Sequence, residues 1–80
     1  MLFPNPTNNN LNIKFTSGKQ EKIKLSIFTI DGKQVFESPY PVLEGINLIK
    51  VNTINLSSGM YLLNIQGENY TITEKFVKHE

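Results

Sequence analysis

Eighty residues provide for one domain and no more. Eight lysines stand against seven acids, for a net charge of +1, and the chain has no arginine and no cysteine. That balance argues against a nucleic-acid partner, which would call for basic residues, arginine above all, concentrated on one face. The lack of cysteine removes disulfide staples and leaves cytosol, periplasm and cell surface all open.

Alanine, the best helix former, is absent, whereas Ile, Val, Thr, Phe and Tyr recur. The opening segment, residues 1–10, carries Phe3-Pro4-Asn5-Pro6 and then an Asn-rich stretch. Each proline pushes the residue before it toward extended geometry, so this reads as a linker remnant and extended lead-in. Met1 and Leu2 run straight into it without the basic start and apolar stretch of a signal peptide. A cytosolic protein or an excised fragment with an added Met1 would both look this way. Residues 11–80 then read as a single β-sandwich domain.

Leu11, Ile13 and Phe15 alternate with polar residues, the period of a strand with one wet face. After a turn at Ser17-Gly18-Lys19-Gln20, Ile23, Leu25 and Ile27 alternate again, and Phe28 and Ile30 then fall on the opposite phase, which suggests a bulge or a strand end covered on both faces. Asp31-Gly32 between two β-rich runs predicts a hairpin with a type I′ turn. Pro39 and Pro41 confine the next segment to a sheet edge or a connection. Gly45 opens another strand through Val51, residues 55–59 form a loop, and Met60 to Gln66 form the most apolar strand, with Tyr61, Leu63 and Ile65 on one face. Gly67-Glu68-Asn69 turns the chain into a last strand that ends at Lys78. The pattern is all-β: about seven short strands in an antiparallel sandwich or barrel.

Little here suggests catalysis. The single His79 is penultimate, the single Asp31 is occupied in a turn, and the glutamates are scattered singly. No cluster suits a metal or cofactor, and no glycine-rich phosphate loop is present. One local motif has a structural reading: Leu56-Ser57-Ser58-Gly59-Met60-Tyr61 resembles the tyrosine corner of Greek-key sandwiches, in which a strand-start Tyr bonds the backbone of the preceding loop.

In order along the chain, Phe3-Pro4-Asn5-Pro6, the segment Leu25 to Val35 around Asp31-Gly32, Gly45 to Val51, the block Leu56 to Ile65 with Gly59 and Tyr61, and the closing Lys75-Phe76-Val77-Lys78 resemble the type A C-terminal sorting domain of the type IX (Por) secretion system of Bacteroidetes. The resemblance implies an immunoglobulin-like sandwich without enzymatic activity, placed after an upstream cargo. It implies passage through the periplasm, recognition by the outer-membrane type IX translocon, removal by a sortase-like peptidase, and a secreted or cell-surface destination. It also favours the excised-fragment reading of Met1. Carried over onto this chain, the recognition features are Gly59, Tyr61, Lys75, Val77 and Lys78, with Pro4, Asn5 and Pro6 as the opening motif and cleavage upstream of it. Exposed strand edges leave a strand-edge homodimer open. The alternative is an adhesion or carbohydrate-binding sandwich, for which Phe36 and Tyr40 are the candidate stacking aromatics.

Overall fold

The computed structural model describes residues 2, 3 and 9–79, so the Pro4, Asn5 and Pro6 motif lies outside the described residues. The strands are β1 (Leu2–Phe3), β2 (Asn10–Ser17), β3 (Glu21–Thr29), β4 (Gln34–Val42), β5 (Gly45–Asn52), β6 (Gly59–Gln66) and β7 (Thr71–Lys78). They form two antiparallel sheets, β1-β2-β5 and β4-β3-β6-β7. This is the expected immunoglobulin-like sandwich, with six full-length strands and the two-residue β1. In constant-type immunoglobulin domains the fourth strand lies beside the fifth; here it pairs with the third.

Alternation places the core. β2 buries Leu11, Ile13 and Phe15, β3 buries Ile23, Leu25 and Ile27, β5 buries Ile49 and Val51, and β6 buries Tyr61, Leu63 and Ile65. Phe76 of β7 and Val42 of β4 complete the cluster. Each such aliphatic side chain contributes about 1.5–3 kcal/mol by leaving water. Phe36 and Tyr40 also pack, partly buried, against this core. They therefore do not form the exposed aromatic platform that sugar stacking requires.

The expected bulge lies between Ile27 and Phe28: Ile27 pairs with Phe36 but Phe28 pairs with Gln34, so Val35 is the extra residue. The hairpin at Asp31-Gly32 forms, but its turn is not type I′. Among the described residues only glycines have positive φ, so Asp31 does not, while Gly32 stands at φ 98°. Gly32 N–H donates to Thr29 O at 2.9 Å, and Thr29 N–H donates to Lys33 O at 2.8 Å. This is a three-residue loop in which a glycine in the left-handed region follows an ordinary turn. Thr29 decides it. Its hydroxyl donates to Asp31 Oδ1 and accepts Lys33 N–H at 3.0 Å. The Thr29 hydroxyl, followed by Asp31's own backbone N–H, lowers the Asp31 pKa.

The prolines of β4 sit at an edge, since β4 is one flank of its sheet and β7 the other. Pro39 and Pro41 carry no N–H to offer there. β7 has no proline.

Candidate recognition site

The five β6 and β7 residues picked out by sequence fall on four successive rungs of one ladder. Gly59 pairs with Lys78, Met60 with Val77, Tyr61 with Phe76, and Leu62 with Lys75. The pleat then divides them. Tyr61 and Lys78 point into the sandwich and are buried, while Lys75 is exposed and Val77 half-buried on the outer face. Asp31 and Gly32 belong to the β3–β4 turn and are not part of this ladder.

The inward pair holds the loop that precedes β6. The Tyr61 hydroxyl donates to Ser57 O at 2.6 Å, which is the tyrosine corner. The Tyr61 ring stacks on Phe76, with centroids 5.6 Å apart. Lys78, only 3 % exposed, donates from Nζ to Leu56 O at 2.9 Å. A buried ammonium needs such an acceptor, because desolvation without one is expensive. The loop is tied further by Leu56 N–H, which donates to Thr53 O, and by Thr53 N–H, which donates to Asn9 O. Gly59 leaves the loop at φ 154°, in a region essentially reserved for glycine. A Cβ there would meet nothing within 4 Å, so the requirement for glycine is one of backbone angle and not of space.

On the outer face, Lys75 continues a row formed by Phe28 and Leu62, and Val77 pairs with Met60, which is 45 % exposed. A cation and an apolar strip thus lie side by side on the outer face of β6 and β7. Neither Phe28 nor Met60 is among the site residues that the sequence suggests; the β3–β6 register brings Phe28 to the strip.

The other end of β6 holds a polar cluster with no local sequence signal. Glu21 accepts Glu68 N–H at 3.0 Å and the Tyr70 hydroxyl at 2.8 Å. Lys19 pairs with Glu68 at 2.6 Å across an exposed gap. The Glu68 amide, followed by the Tyr70 hydroxyl, holds the Glu21 carboxyl below the usual carboxylate range. Burial, then the bond to Glu21, pushes the Tyr70 phenol up. Tyr70 also meets Phe15, with ring centroids 5.9 Å apart, and covers Gly67 so closely that a Cβ there would lie 2.2 Å from the ring. The cluster therefore clamps the β6–β7 turn onto the start of β3.

No curated protein matches the chain. The family described as the secretion system C-terminal sorting domain matches residues 1–79. The chain therefore belongs to the type IX secretion C-terminal sorting domain family, whose members act as signals for export of an upstream cargo across the outer membrane to the cell surface or the extracellular space.

Proposed function

We propose that the domain addresses its cargo through β7, whose outer face, with Lys75 and Val77, the outer-membrane type IX translocon reads. The observation that carries this reading is the outer face of β6 and β7, where exposed Lys75 stands beside half-buried Val77 and continues into the apolar strip of Phe28, Met60 and Leu62. Gly59, Tyr61 and Lys78 serve the same end indirectly, by setting the loop and the ends of β6 and β7. The domain does no chemistry of its own. A sortase-like peptidase then cuts upstream of Pro4, Asn5 and Pro6 and attaches the cargo to lipopolysaccharide.

The burial of Lys78 shapes the test, since only Lys75 can be reversed in charge without disturbing the interior. A secreted reporter carrying this domain as its C-terminus is compared with its Lys75→Glu variant. Export should be lost while the variant domain melts like the parent. Normal export of Lys75→Glu would exclude a translocon that reads charge on this face. The C-terminus of exported reporter, read by mass spectrometry, should lie upstream of Pro4; intact domain on all exported reporter would exclude the peptidase step.

A further inference from the structure

We propose that β5 is a self-association edge, on which two copies of the chain pair antiparallel about a two-fold axis through Asn47. β5 is the flank of the three-stranded sheet and contains no proline. Its outer face holds the most exposed apolar side chains of any strand described: Ile46 at 67 % and Leu48 at 70 %. Lys50 follows on the same face, and exposed Glu44 precedes the strand. Among the described residues neither Glu44 nor Lys50 makes an ion pair.

The order of these residues is self-complementary. In Glu44-Gly45-Ile46-Asn47-Leu48-Ile49-Lys50, an axis at Asn47 sets Ile46 opposite the second copy's Leu48 and brings Glu44, in the bend just before the strand, to the end where its Lys50 stands, each twice by symmetry. Apolar side chains then meet apolar ones, and opposite charges close both ends. Moving the axis to Leu48 sets Ile46 against Lys50, and moving it to Ile46 sets Glu44 against Leu48. Only the Asn47 axis satisfies all four positions, so the pattern specifies a register as well as an edge. Asn47 itself points inward and braces the adjoining bend: Oδ1 accepts Leu43 N–H at 3.0 Å, and Nδ2 donates to Leu43 O at 2.9 Å and Gly45 O at 3.1 Å. The product is one continuous sheet of six strands running from β1 of one copy to β1 of the other. β7 lies in the other sheet, so the pairing does not depend on how the translocon reads the domain.

An interface of one strand edge is small, so the dimer is a weak, reversible one, with dissociation in roughly the micromolar to millimolar range. Sedimentation velocity over that range of concentration should show monomer passing to dimer. Glu44→Lys alone and Lys50→Glu alone should each weaken the dimer about tenfold, by placing like charges at both ends. The double exchange Glu44→Lys/Lys50→Glu should restore it. Both sites are exposed, and unchanged melting curves will show that the fold is intact. A monomer at every concentration, single variants that dimerise like the parent, or a double exchange that fails to rescue would each overturn the proposal. So would β5 amides that resist hydrogen exchange only when an upstream cargo is attached, since the edge would then belong to the cargo.

Discussion

Tyr61 and Lys78, on neighbouring strands, donate to successive carbonyls of one loop, Ser57 O and Leu56 O. Two residues that read in sequence as recognition features thus act first on the chain's own backbone. The loop between β5 and β6 is held from inside the sandwich, and Gly59 gives it the turn it needs to enter β6.

Tyr61→Phe keeps the ring on Phe76 and removes only the bond to Ser57 O. The cost should be about 1 kcal/mol, or a fall in melting temperature of roughly 4–8 °C for a domain of this size. An unchanged melting curve would mean that the tyrosine corner contributes nothing to stability.

Glutamate at the two closing lysines should have opposite consequences for folding. Lys78→Glu places a carboxylate against Leu56 O in the interior and should cost about 3 kcal/mol or more. Lys75→Glu, on the wet face, should stay within about 0.5 kcal/mol of the parent. Chemical denaturation of both variants checks the contrast.

The Glu21 carboxyl has a lowered pKa in the folded chain. Its contribution to stability is therefore complete above the ordinary glutamate value, about 4.3, and is lost as pH falls from there through the lowered folded value. The parent should melt above Glu21→Gln at pH 7, and the gap should close in acid. A gap that is constant with pH would assign the difference to packing rather than to charge.

Gly67→Ala drives a methyl group into the Tyr70 ring, which must swing away. The bond to Glu21 and the contact with Phe15 go with it, at a cost of about 1–3 kcal/mol. Combined with Glu21→Gln, the two losses should be less than additive, because both open the same clamp. Full additivity in denaturation experiments would show that the groups act separately.

Most of the architecture was legible because period-two alternation needs nothing beyond neighbouring residues. Leu11-Ile13-Phe15 gave β2, and the phase change at Phe28 gave the bulge. Lys78 shows where residue type is a poor guide to burial. The same count of two that buries Phe76 also turns Lys78 inward, yet lysine is ordinarily read as solvated. The Asp31-Gly32 turn differed from the expected type because the Thr29 hydroxyl, just outside the pair, bonds on both sides of it. The Glu21 clamp left no trace in sequence, since its partners lie 47 and 49 residues away and meet only through the packing of two turns.

The placement of Pro39 and Pro41 also governs crowding. Were both flanks of the four-stranded sheet receptive, each copy could add its β7 to the β4 of the next, and the contact would repeat without closing into a filament. With rings at two positions of one flank and no amide hydrogen behind them, that growth stops at the first step. Many copies can therefore crowd together without any of them adding a strand to the β4 flank of another.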